Sequence, residues 1–86
     1  MDDVRRHLLS ILASDVFRRS PNASALLRYL VECALAKLVP KEYTIATDAL
    51  GRSSDFDPRT DPVVRVEVRR LRQKLLEYYA EAGRDS

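Results

Sequence analysis

Glycine is scarce in this sequence, with two in 86 residues, and no run of alternating apolar and polar residues is long enough to predict a β-strand. A loop that cradles phosphate needs several closely spaced glycines, so the isolated Gly51 and Gly83 exclude one. Leucine, alanine, arginine and glutamate are abundant instead, and these residues favour helices. The sequence therefore predicts an all-α domain.

Histidine and cysteine occur once each, as His7 and Cys33. One histidine cannot supply a two-histidine zinc site within the chain, and one cysteine cannot form an internal disulfide. Cys33 lies among apolar residues of a predicted helix with no basic neighbour, which is typical of a buried, unreactive thiol. We expect no enzyme and no cofactor.

Three aspartates at positions 55, 57 and 61 resemble the start of a calcium-binding loop only superficially. In a loop counted from Asp55, the sixth position is Thr60 where an EF-hand has glycine, and the twelfth is Val66 where it has glutamate. These carboxylates fit better as caps of the loop and of the next helix, paired with Arg52 or Arg59. We expect no metal site.

A long apolar segment is also missing, since nothing approaches the roughly 18 uninterrupted apolar residues of a membrane span. The first residues, Met-Asp-Asp-Val-Arg-Arg, lack the order of basic, apolar and small residues that marks a secretory signal. We therefore expect a single cytoplasmic domain that does not interact with membranes.

Four helices are predicted from apolar residues at spacings of three and four and from start and stop signals. They span about residues 3–14, 21–37, 41–50 and 62–82. Ser20 and Pro21 suit the start of the second helix, Gly51 the left-handed residue after the third, and Asp61 the N-cap of the fourth. The second helix is expected to be central and to bury Ala23, Leu27, Leu30, Ala34 and Leu38.

Positive charge is concentrated in the last predicted helix. Residues 65–74 contain five cations and one carboxylate, a local charge of +4, which leaves −2 for the rest because the whole chain carries +2. At 100° per residue, one side of this helix is an apolar stripe and a neighbouring side carries Arg65, Arg69 and Arg72, with Arg70 and Lys74 farther round. The apolar stripe consists of Val64, Val68, Leu71, Leu75 and Tyr78.

Clustered arginine on an exposed helix suits double-stranded DNA, because guanidinium groups bind phosphates and guanine edges in the major groove. The candidate DNA-binding residues are Arg65, Arg69, Arg70, Arg72 and Lys74. A solvated face with intrahelical ion pairs is the alternative, and only Glu67, Glu77 and Glu81 are available for such pairs. The shortage of acidic partners favours binding.

The segment VRVEVRRLRQKL (residues 65–76) resembles the recognition-helix signature of OmpR-type winged-helix response regulators. Residues 20–83 are more closely similar to an N-terminal module of bacterial regulatory proteins that often precedes TolB-like or tetratricopeptide regions. The resemblance is carried by the order Asp-Phe-Asp-Pro, Asp-Pro, Val-Arg-Val-Glu, Arg-Leu-Arg, Lys-Leu and Tyr-Tyr.

This resemblance implies a winged-helix-like DNA-binding domain of transcriptional regulation, with the five cations of the last helix as DNA contacts. In the related modules a strand pair with a Gly-Tyr signature follows the long helix, whereas this sequence stops at GRDS. We therefore expect a helix-turn-helix-like arrangement without the wing. The predicted connection, residues 52–61, is longer than the three or four residues of a tight helix-turn-helix.

A helical adaptor or oligomerisation domain is the second hypothesis. In this alternative the last helix pairs with a second copy of the chain or with a partner helix, through Leu71, Leu75, Leu76 and Tyr79. Leu76 discriminates between the two hypotheses, because it projects onto the arginine side of the helix, where a leucine suits a protein interface.

Overall fold

The computed structural model describes the backbone of residues 2–84 and the side chains of residues 3–81. Within that range the chain forms helices and loops and no strand, which confirms the all-α prediction. The helices are α1 (Asp2–Ala13), α2 (Asp15–Arg18), α3 (Pro21–Leu35), α4 (Glu42–Thr44), a π-helix (Ile45–Ala49) that continues α4, and α5 (Val63–Arg84). None of these described helices combines the length and apolar character needed to cross a membrane.

The first predicted helix, residues 3–14, corresponds to α1, and a short helix that was not predicted, α2, follows it. α1 ends at Ala13, and the hydroxyl of Ser14 donates a hydrogen bond of 2.6 Å to the carbonyl oxygen of Ile11. Ser14 has extended backbone angles, and the chain then turns into α2, whose Phe17 is 1 % exposed. A four-residue helix is too short to show helical periodicity, so the sequence did not predict it. Phe17 and Leu26 are the largest fully buried side chains among the described residues.

α3 begins at Pro21, as predicted, but ends at Leu35 rather than at residue 37. Lys37 adopts a left-handed conformation with φ of 60°, and the N–H of Leu38 donates to the carbonyl oxygen of Cys33 at 2.8 Å. This closing turn ends the helix before Leu38, whose side chain is exposed. The buried residues of α3 are Ala23, Leu26, Leu27 and Cys33, so the prediction of Ala34 and Leu38 as core residues was wrong.

The third predicted helix, residues 41–50, is a short α-helix followed by a π-helix. The N–H of Leu50 donates to the carbonyl oxygen of Ile45, five residues earlier, at 3.2 Å. Gly51, with φ of 68°, ends the segment in the left-handed conformation that the sequence predicted. Ile45 and Ala46 are buried, so the segment is packed onto the core.

The loop between the π-helix and α5 is held at its middle and at its far end. Phe56 packs against the core and against the ring of Tyr43, with 6.4 Å between the ring centroids. At the far end a carboxylate oxygen of Asp61 accepts the N–H of Val63 at 3.0 Å, which stabilises the start of α5. α5 thus begins one residue later than predicted, and its 22 residues extend roughly 33 Å.

The core lies between α3 and α5, and α3 also contacts α1, α2 and the π-helix. α5 contributes the predicted apolar stripe: Val64 and Leu71 are buried, and Val68, Leu75 and Tyr78 pack beside them. Because this stripe holds one side of α5 against the domain, the two neighbouring sides of the helix face solvent.

Candidate nucleic-acid interface

The first exposed side of α5 carries three of the five candidate cations, and we call it the arginine flank: Arg65, Arg69 and Arg72. Their spacings of four and three place them in a row along roughly 10 Å of the helix. The row borders a groove between α5 and the start of α4, where Glu42 lies. Glu42 is thus the residue of α4 that lines this groove.

Arg65 is the one member of the flank with an acidic partner. Its Nε donates a hydrogen bond of 3.2 Å to Oε1 of Glu42. The side chain of Glu42 is 29 % exposed and that of Arg65 is 69 % exposed, so the carboxylate is partly covered and the guanidinium reaches into solvent.

Arg69 and Arg72 form no ion pair with any residue whose side chain the structure describes. Both side chains are exposed. Two guanidinium groups without a carboxylate partner leave a net positive surface beside the groove, which an external anion can neutralise.

The other two candidate cations, Arg70 and Lys74, lie on a different side of α5. They border a depression at the start of α3, together with Glu67 and residues 20–23. Arg70 donates to Glu67 at 3.0 Å, and Lys74 lies 4.0 Å from Glu77. The structure thus divides the five predicted DNA-binding residues into an arginine flank and a second flank, Arg70 and Lys74, whose charge is largely balanced.

Glu67 is the one buried charged residue in the described part of the chain, at 6 % exposure. Burial of a carboxylate is costly unless it is paired, and Arg70 supplies the pairing charge. Sequence reasoning assigned Arg70 to DNA and named Glu67 only as one possible partner on the helix, without predicting that Glu67 is buried. The spacing of three residues between Glu67 and Arg70 was the signal that could have shown their pairing.

The four residues of the adaptor hypothesis also fall into two classes. Leu71 is buried and Leu75 packs against the core, so both side chains hold α5 onto the domain. Leu76 is 66 % exposed and Tyr79 is 51 % exposed. The hydroxyl of Tyr79 shares a hydrogen bond of 2.8 Å with Nε2 of His7, which ties the second half of α5 to α1.

An apolar groove lies beside Tyr79, between α1, α3 and α5. Its apolar lining is Val4, Leu8, Ile11, Leu27, Val31, Leu75 and Tyr79, with Asp3 and His7 at its rim.

The acidic loop is occupied by contacts within the chain. Asp57 accepts the backbone N–H of Arg59 at 2.9 Å and its Nε–H at 3.2 Å. These two contacts hold the pKa of Asp57 below its ordinary value, and the hydrogen bond from the backbone N–H has the larger effect. Asp61 lies 4.0 Å from Arg52, so the predicted aspartate–arginine pairs are present. The described residues contain no cluster of three or more potential metal ligands.

Comparisons with models of protein families, with curated proteins and with solved structures find no match to this chain. The site therefore has to be interpreted from its own residues.

Proposed function

We propose that this domain binds double-stranded DNA through the arginine flank of α5, as a winged-helix-like element of bacterial transcriptional regulation. The observation that carries the proposal is the row of three exposed guanidinium groups on a helix that is anchored along its other side. The major groove of DNA is about 12 Å wide and admits an α-helix. The three arginines extend over roughly 10 Å of the helix axis, so all three can lie within the groove together.

The division of charge on α5 supports this orientation. Arg69 and Arg72 have no acidic partner among the described side chains, whereas Arg70 neutralises Glu67. DNA that approaches the arginine flank therefore meets net positive charge, and DNA that approaches the second flank meets pairs whose charges cancel. We infer that α4, whose Glu42 lines the groove, would brace α5 as the first helix of a helix-turn-helix braces the second.

A titration tests the proposal. The folded protein is added to a fluorescent duplex of mixed sequence at low and at near-physiological salt, and fluorescence anisotropy gives the affinity. We expect binding that weakens steeply with salt, because Lys and Arg contacts to phosphate release counterions. A variant with Arg65→Gln, Arg69→Gln and Arg72→Gln should bind much more weakly, while circular dichroism shows it to be folded. A folded wild-type protein without affinity at low salt would refute the proposal.

A second function, pairing of two copies of the chain, is favoured by the exposure of Leu76 and Tyr79. These residues continue the row of the arginine flank at spacings of four and three, so the row is cationic in its first half and apolar in its second. Pairing through the apolar half leaves both arginine flanks available to one DNA. Sedimentation equilibrium tests this pairing. We expect the wild-type protein to be a dimer and the Leu76→Glu variant to be a monomer. A wild-type protein that stays monomeric at every concentration would contradict the pairing.

A further inference from the structure

Arg65 differs from its neighbours on the arginine flank because a carboxylate holds its guanidinium from the side. Nε of Arg65 donates to Oε1 of Glu42, whereas no hydrogen bond joins either terminal nitrogen of Arg65 to the described residues. Glu42 is fixed in turn by its position in the first turn of α4, 23 residues away in sequence. The contact therefore spans the groove from α4 to α5.

This geometry leaves one bidentate donor pair on Arg65. A guanidinium has five N–H donors in a planar fork, and the one on Nε is engaged, so the two terminal nitrogens remain to act together. The O6 and N7 atoms of guanine accept such a pair in the major groove. A side contact that orients the fork before binding also lowers the loss of side-chain entropy on binding.

Arg69 and Arg72 lack such support from any carboxylate in the described part of the chain. A phosphate accepts a guanidinium from many directions, so unsupported arginines suit the DNA backbone, where position is set but sequence is not read. The three arginines of one flank thus differ in preorganisation, and this difference suggests different roles.

We propose that Glu42 is a positioning residue that orients Arg65 to read one guanine in the major groove, while Arg69 and Arg72 contact phosphates without sequence preference. The inference rests on the proposed DNA-binding function. The competing explanation is that Glu42 only neutralises Arg65 and lowers affinity for all DNA. When the Glu42 carboxylate is removed, the first explanation predicts a loss of base preference, and the second predicts an unchanged base preference with tighter binding to all DNA.

The test is a selection of duplexes from a randomised library, followed by sequencing, with wild type, Glu42→Ala and Arg65→Lys. Alanine is chosen because the amide oxygen of a glutamine could still accept the Nε–H of Arg65. Wild type should enrich sites with guanine at one position. In both variants the preference for guanine at that position should fall by roughly 5- to 150-fold, while the base preferences at other positions of the site persist. The affinity of Glu42→Ala for unselected DNA should stay equal or rise, because a negative charge near phosphate is removed.

Glu77→Ala is the matched control, because it removes the same side-chain carboxylate from a pair on the second flank, with Lys74. It should leave the base preference of wild type unchanged. Circular dichroism confirms that each variant is folded before selection.

Three outcomes overturn the inference, and they separate it from the proposed function. A Glu42→Ala variant that binds all sequences more tightly with unchanged base preference shows that Glu42 only neutralises charge. A wild type that binds duplexes in a salt-dependent way but enriches no guanine leaves DNA binding intact and refutes the role of Arg65. A folded wild type that retains no duplex refutes both.

Discussion

The two exposed flanks of α5 allow a charge-matched test of where DNA binds. One variant combines Arg69→Gln and Arg72→Gln, and the other combines Arg70→Gln and Lys74→Gln. Each removes two positive charges from the same helix, so the net charge of both variants falls equally from +2 to 0. Because Arg70→Gln removes the charge that pairs with the buried Glu67, circular dichroism first has to show that this variant is folded.

The expected magnitude follows from counterion release. Each phosphate contact contributes about 0.9 to the slope of log affinity against log salt, so loss of two contacts lowers the slope by about 1.8. If the contributions of these two contacts to binding vanish near 1 M salt, the affinity of the Arg69 and Arg72 variant at 0.1 M salt is about 60-fold lower than that of wild type. The Arg70 and Lys74 variant should lose much less, because those cations are already partnered by Glu67 and Glu77.

Fluorescence anisotropy with a labelled mixed-sequence duplex, repeated over a series of salt concentrations, measures both quantities. Equal losses of affinity and slope in the two variants would mean that binding reports net charge alone. A larger loss in the Arg70 and Lys74 variant would place DNA on the second flank and refute the reasoning from geometry.

Three further predictions concern the fold that presents this flank. Phe17→Ala should destabilise the domain by about 3–5 kcal/mol, because the side chain is fully buried, and urea denaturation followed by circular dichroism measures this. Gly51→Ala should cost about 1 kcal/mol through its positive φ alone, since a Cβ there meets no atom within 4 Å, whereas Lys37→Gly, also at positive φ, should be neutral or stabilising in the same assay. The lowered pKa of Asp57 adds stability that is present above its ordinary pKa and lost as pH falls through the folded value. The stability difference between wild type and Asp57→Asn should therefore shrink in acid urea titrations, and a constant difference would contradict the contacts with Arg59.

Helical periodicity predicted the parts of the fold in which a long helix has one apolar side. The apolar residues of α5 that pack into the core include the whole predicted stripe, because 22 residues give six turns over which the period can be recognised. Predictions from single residues also agreed with the structure. Gly51 adopts the left-handed conformation after the third predicted helix, and the carboxylate of Asp61 accepts a backbone N–H at the start of α5. Each of these features depends on residues close together in sequence.

The features that sequence did not predict depend on contacts between distant residues. α2 exists because Phe17 is buried against the core, and nothing in a four-residue segment shows that burial in advance. The π-helix depends on how Ile45 and Ala46 pack, which local propensity does not determine. Glu42 reaches Arg65 only because α4 folds back beside α5, so the sequence alone treated Arg65 as equivalent to Arg69.

The position of DNA on the domain can be measured most directly by nuclear magnetic resonance. The Nε–Hε signals of arginine side chains are followed while a short duplex is added to labelled protein, with Arg5 of α1 as an internal reference because it is paired with Glu32 on another surface. The proposed interface predicts that the signals of Arg65, Arg69 and Arg72 shift or broaden and that those of Arg5 and Arg70 change little. Changes confined to Arg5 or Arg70, with the arginine flank unaffected, would contradict DNA binding through that flank.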